Sequence, residues 1–149
     1  MSPGRAPRWA EPVYVDASAL VKLFVPEGES DALNQALAGL GDVIVSDLAL
    51  TEMASALGRR ARERLLSRDE ARRLYREAAK LLTSSRRAEL TPPIHRAAER
   101  LLLSLATPLR SLDALHLATA LDARASTLVS FDPRLRDAAA SQGLFVAPA

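Results

Sequence analysis

Four carboxylates stand where an α/β chain places its chemistry. Asp16 ends the apolar run Val13-Tyr14-Val15, and Asp132 follows the apolar pair Leu128-Val129. Glu52 lies just past Val43-Ile44-Val45, and Asp113 opens a segment, Leu112 to Ala120, that is otherwise nearly all apolar. If the runs are parallel strands of one sheet, their carboxyl ends share an edge, and open α/β sheets bind ligands at that edge. Acids gathered there repel one another, which raises at least one carboxyl pKa unless a cation joins them. The pattern predicts a divalent-metal site built from Asp16, Glu52, Asp113 and Asp132.

Each acid also has a plainer use. Asp16 and Asp132 precede helix-like segments and could be N-caps. Asp113 falls in a first helical turn, where the helix dipole favours negative charge. Glu52 could be an ordinary exposed helix residue. Asp113 is the hardest to explain this way. Its neighbours Leu112, Ala114, Leu115, Leu117 and Ala118 predict a buried helix, and a buried carboxylate needs a partner. Arg110 is one candidate and a metal ion the other.

The chemistry such a site suggests is phosphodiester hydrolysis. Hard oxygen ligands suit magnesium or manganese. The metal supplies hydroxide near neutral pH and offsets charge on the reacting phosphoryl oxygens. A carboxylate not taken up by metal can orient the water. Ser18 and Ser130 each stand two residues from an acid; either hydroxyl could hold a carboxylate or a metal-bound water, or serve as a cap. His116 shares a helix side with Asp113 and is read as a hydrogen-bonded histidine near the core, and His95 as a surface residue. No Ser–His–Asp arrangement, P-loop or dinucleotide glycine fingerprint offers another chemistry.

The elements that must position these residues fit one domain of 149 residues with a real core. Hydrophobic residues make up 48% of the chain, which excludes global disorder. Aromatics are only 4%, which argues against a base-stacking platform. There is no cysteine, so zinc–thiolate and iron–sulfur sites are excluded, and a cytoplasmic location fits. No apolar stretch is long enough to span a bilayer. Residues 1–12 read as a flexible leader and 13–149 as the domain.

Val13–Asp16, Val43–Val45, Glu89-Leu90, Thr127–Ser130 and Leu144–Val146 read as strands. Helices are expected over Ala17–Phe24, Glu27–Leu40, Ser46 or Asp47 to about Arg64, and from the capping box Ser67–Glu70 through Leu82. Others run from Pro92-Pro93 through Leu105, from a Ser111 cap over Leu112–Arg124, and from Asp132-Pro133 to Ala140. Strands alternating with helices predict a three-layer α/β/α sandwich with a central, mainly parallel sheet. Net charge is only +2, but Arg59 to Arg76 holds eight arginines against Glu63, Asp69 and Glu70. That stretch reads as a solvated helix face with internal ion pairs, or as a surface for nucleic-acid backbone or an acidic partner.

Four segments together resemble the PIN-domain ribonucleases, and within them the VapC toxins of toxin–antitoxin pairs. They are Val15-Asp16-Ala17-Ser18-Ala19-Leu20, Thr51-Glu52, Leu112-Asp113-Ala114-Leu115-His116-Leu117-Ala118-Thr119-Ala120, and Leu128-Val129-Ser130-Phe131-Asp132. The resemblance spans about Val13 to Val146, and the Asp113 segment is its most specific part. It implies a magnesium- or manganese-dependent endoribonuclease. Asp16, Glu52, Asp113 and Asp132 would be its acidic quartet, with Ser130 positioning water or substrate. It also implies an RNA substrate, a small cognate antitoxin and a homodimer. His116 falls where many members have an apolar residue, and the leader is longer than usual. Two alternatives stay open: a PIN-like module that binds RNA or a partner without cutting, and a PIN nuclease that is not a toxin. A haloacid-dehalogenase-type phosphatase would need a second acid where this chain has Ser18.

Overall fold

The computed structural model describes residues 8–26, 28, 30–104 and 106–149. Its centre is a five-stranded sheet of β1 (Val13–Val15), β2 (Val43–Ser46), β3 (Arg86–Ala88), β4 (Thr127–Val129) and β5 (Phe145–Ala147). The order is β3-β2-β1-β4-β5 and every pairing is parallel. Seven helices are described: α1 (Ala17–Phe24), α2 (Ser30–Ala38), α3 (Asp47–Arg62), α4 (Arg68–Ser84), α5 (Pro92–Leu103), α6 (Ser111–Asp122) and α7 (Pro133–Ser141).

Strand alternation divides the core. Val13, Val15, Val45 and Val129 face one layer, with Leu20, Leu33, Met53, Leu57 and Leu74 from α1 to α4. Tyr14, Ile44 and Leu128 point the other way, into Leu117, Leu135 and Ala138 of α6 and α7. Ile94 and Ala98 of α5 close against Ala114 and Ala118 of α6. Both faces are covered, as a parallel sheet requires, and its inner strands are accordingly buried and mainly apolar. The expected three-layer sandwich is the observed one. Connections run outward to one side from β1 to β2 and β3, and to the other from β4 to β5. The direction reverses between β1 and β4, the topological switch point where α/β sheets open a crevice at their carboxyl ends.

Several boundaries differ from expectation. The third strand is Arg86–Ala88, not Glu89-Leu90. It lies at the sheet edge, so its side chains need not be apolar: Arg86 pairs with Asp42 at 3.1 Å and Arg87 with Asp47 at 2.8 Å. The last strand is shifted by one residue, to Phe145–Ala147. α5 ends at Leu103, and α6 ends at Asp122, with Arg124 beyond it in the left-handed region. α2 begins at Ser30; the expected start at Glu27 lies outside the described residues. The capping box at Ser67 and Glu70 is present. Residues 1–7 of the expected leader also lie outside the description. Residues 8–12 make contacts with the body of the domain. Trp9 packs on the core, and the Glu11 carboxylate accepts from the Asp42 amide at 2.7 Å. The Ser126 and Thr127 amides donate to the Pro12 carbonyl.

Candidate active site

The switch point places Asp16 directly after β1 and Ser130 directly after β4. Asp16 caps α1, accepting from the Ala19 amide at 2.9 Å. It is therefore an N-cap, as its position allowed, but capping explains only part of its surroundings. The Ser130 hydroxyl, wholly buried, donates to Asp16 Oδ2 at 2.6 Å. The Ser18 hydroxyl donates to both Asp16 oxygens, at 2.8 and 3.0 Å. Asp16 is 3% exposed. Burial holds its carboxyl above the usual range, and the Ser130 and Ala19 hydrogen bonds only partly offset this. A raised carboxyl was expected from neighbouring like charges. Instead, loss of water around the carboxylate is the dominant cause.

Ser130 joins this acid to the next. Its Oγ accepts from the Asp132 amide at 3.0 Å, while the Asp132 carboxylate caps α7 through the Arg134 amide at 2.9 Å. Asp132 in turn meets Arg110, whose Nη2 lies 3.2 Å from its Oδ2. The same guanidinium reaches Asp113, Nε to Oδ2 at 3.7 Å, and Asp113 also accepts from the Arg110 amide at 3.1 Å. The residue flanking α6 at its start is Arg110 rather than the expected Ser111. Asp113 thus has the partner its buried helix demanded. At 8% exposed it is less buried than Asp16, which makes Asp16 the more isolated charge, the reverse of the sequence expectation.

Glu52 enters from α3. Its Oε1 lies 2.6 Å from His116 Nε2, and His116 Nδ1 lies 2.7 Å from the Tyr14 hydroxyl. His116 is the buried, hydrogen-bonded histidine the sequence suggested, and His95 is exposed. The link from His116 to Glu52 was not foreseen. Its signal was Tyr14: a hydroxyl in a buried strand must find a partner inside. Glu52 and Ser18 line a cleft of about 430 Å³ with Lys22, Arg59, Arg60 and Leu112. Two of the arginines from the basic stretch therefore reach the site. Elsewhere in that stretch, Arg73 pairs with Glu77 along α4.

Asp16, Asp132 and Asp113 are linked in a chain through a hydroxyl and a guanidinium, and Glu52 of α3 shares a cleft with Ser18, which donates to Asp16. Among the described residues no three His, Asp or Glu side chains are already arranged to hold a metal ion. The donor set still fits a hard divalent cation. It is all oxygen, the buried Asp16 carboxylate is met by the Ser18 and Ser130 hydroxyls and the Ala19 amide, and two others already share a cationic group in Arg110. Asp16, Asp113, Asp132 and Glu52 are the residues that could hold such an ion.

Ser130 carries two of these links, so Ser130→Ala is expected to take the side-chain acceptor from the Asp132 amide and one of two hydroxyl donors from Asp16 Oδ2. The expected cost is about 1–3 kcal/mol, measured as a fall in urea midpoint. An unchanged midpoint would mean that water replaces the hydroxyl.

A model of the PIN domain family matches residues 13–141. Ribonuclease VapC45 of Mycobacterium tuberculosis is 36% identical over 139 residues, 92% of this chain and 95% of that protein. Among solved structures, Mycobacterium tuberculosis VapC20, described as a Sarcin-Ricin loop cleaving toxin, superposes with a TM-score of 0.69 at 19% identity. That match covers 89% of this chain and 95% of the other. A chain from a toxin-antitoxin complex of Klebsiella pneumoniae gives 0.58 at 19% identity, over 80% of this chain and 86% of that one. The two superpositions establish the shared fold, and the sequence match along nearly all of both chains establishes the kinship. The protein belongs to the PIN domain family of divalent-metal-dependent ribonucleases, among the VapC ribonucleases.

Proposed function

We propose that this protein is the toxin of a toxin–antitoxin pair, an endoribonuclease whose catalytic centre is Asp16, Glu52, Asp113 and Asp132 with Ser130, using magnesium or manganese. The observation that carries this reading is the buried Asp16 carboxylate at the β1–β4 switch point, tied through Ser130 to Asp132. When bound, the metal would supply a water acidic enough to act as nucleophile and positive charge for the developing oxyanions. The chain supplies the rest. Ser130 and Ser18 orient Asp16. Arg110 holds Asp113 and Asp132 together until a cation or phosphodiester competes for them. Lys22, Arg59 and Arg60 provide positive charge along the cleft beside Glu52, suited to an RNA backbone.

The partner reading rests on the same cleft. Leu112, 46% exposed, stands among its basic groups. A short antitoxin segment with apolar and acidic residues would match that surface, and the Klebsiella neighbour is itself a toxin-antitoxin complex. A homodimer and a cytoplasmic site of action complete the proposal; no helix of the described residues is long and apolar enough to cross a membrane.

The test is incubation of purified protein with total RNA, with and without chelator, beside Asp16→Ala. Metal-dependent cuts lost in the variant are the expected result. RNA retained on the protein but left intact in magnesium and manganese would favour the binding module instead. A second expectation concerns the cleft: Arg59→Ala should weaken RNA binding and flatten its dependence on log salt by about 0.7. Arg72→Ala on α4 should not. Equal effects would return the whole stretch to diffuse surface charge.

A further inference from the structure

We propose that His116 is a positioning residue that holds the Glu52 carboxylate in one orientation, with its own tautomer set by the Tyr14 hydroxyl. This rests on the reading of Glu52 as one of the acids of the active site. The three groups form a line from the sheet interior to the cleft. Tyr14 is in the central strand β1 and wholly buried, and His116 is in α6 and 2% exposed. Glu52 is in α3, its side chain 27% exposed where it lines the cleft. The line thus runs from β1 through α6, whose core contacts lie on one side of the sheet, to α3, whose contacts lie on the other. It closes at the carboxyl edge, where the two layers meet.

The polarity of each bond follows from the groups. An ionised carboxylate only accepts, and a neutral imidazole has one donor nitrogen and one acceptor. Glu52 Oε1 at 2.6 Å therefore accepts a hydrogen bond from Nε2–H. Nδ1 is left as the acceptor, and the Tyr14 hydroxyl, 2.7 Å away, is its donor. The phenol hydroxyl carries a proton to donate, and the wholly buried Tyr14 side chain must place it on an internal acceptor. The Tyr14 ring also meets the imidazole edge to face, with centroids 5.8 Å apart and planes at 69°. That contact fixes the ring plane as the hydrogen bonds fix its two nitrogens.

The consequence lies in Glu52. A glutamate is a long, rotamer-rich side chain, and ordering it on binding costs up to about 2 kcal/mol. Held by His116 before any ligand arrives, it forgoes much of that cost. Partners that orient a metal-ligating group in this way typically contribute 10–100-fold in metal affinity or activity. A histidine present only to fill the core would affect stability and leave Glu52 indifferent to it.

The experiment has two parts. In metal-free wild type, ¹⁵N NMR of the imidazoles should show His116 as the Nε2–H tautomer, and Tyr14→Phe should weaken that preference. Manganese titration and RNA kinetics are then run on His116→Leu and His116→Gln. Leucine cannot donate to Glu52, and is expected to lower manganese affinity and kcat about 10–100-fold with KM for RNA little changed. Glutamine can donate to Glu52 and accept from Tyr14, and should recover most of both. A wild-type Nδ1–H tautomer overturns the inference. So does a glutamine variant that folds yet performs no better than leucine. If His116→Leu matches a wild type that cuts RNA and binds manganese, this inference alone falls. If wild type does neither, the reading of the acids falls first and takes this one with it.

Discussion

Replacing Asp16 by asparagine is expected to abolish RNA cleavage and, in chelator near neutral pH, to raise thermal stability. The loss of activity follows from the role proposed for the acid. Metal-borne charge stabilisation is worth several kcal/mol in the transition state, and each 1.36 kcal/mol is tenfold in rate, so a loss of at least about 10³-fold is expected. The gain in stability follows from burial. In the folded chain the Asp16 carboxyl sits above its ordinary value of 3.8, chiefly because burial penalises its charged form. The stabilising contribution of such a group is complete below the unfolded value. It is lost as pH rises through the raised folded one. At pH 7 the native protein therefore holds a buried charge that asparagine lacks. The stability advantage of Asp16→Asn should narrow as pH falls toward 4, and melting curves of both proteins across that range measure it. Magnesium or manganese should raise the melting temperature of wild type and not of the variant. A variant less stable than wild type at pH 7 would show that the hydrogen bonds from Ser130, Ser18 and Ala19 outweigh the burial of charge.

The acids and their sheet edge were legible because the cues were local. An apolar run followed by an acid and a helix-forming segment describes Asp16 and Asp132 without reference to the rest of the chain. β3 was not legible, since an edge strand of exposed arginines carries no apolar pattern, and its pairing depends on Asp42 and Asp47 far away in sequence. The connections within the site were hidden for a related reason. Ser130 to Asp16 and His116 to Glu52 span 114 and 64 residues, and only the fold brings them together. Asp113 shows the opposite error. Its apolar surroundings were read as isolating the charge, yet Arg110, three residues earlier, reaches it through both backbone amide and guanidinium. Asp16 is the charge left to burial, because the groups against it are neutral hydroxyls and an amide.

Leu128→Ala is expected to cause the largest loss of stability among single changes that leave the site chemically intact. Leu128 is wholly buried in β4, paired in register with Tyr14 on one side and Val146 on the other. It packs with Ile44, Leu117 and Leu135 on the α6–α7 face. Truncation there removes apolar contact from the middle of a sheet that cannot collapse around the gap. The expected cost is about 2–5 kcal/mol, out of roughly 5–15 for a domain of ordinary stability. At about 2–4 °C per kcal/mol for a chain of this length, the melting temperature should fall by roughly 4–20 °C. Leu103→Ala, at a side chain 79% exposed, should stay within about 0.5 kcal/mol. The informative measurement is kcat at a temperature where the Leu128 variant remains folded. Leu128 points into the helical layer, whereas Ser130 and Asp132 act beyond the end of the strand through their own hydrogen bonds. Cleavage per folded molecule should therefore be close to wild type. If kcat falls with the melting temperature, the edge that holds the acids is not set by those hydrogen bonds alone, and packing two residues inside the sheet is part of what aligns them.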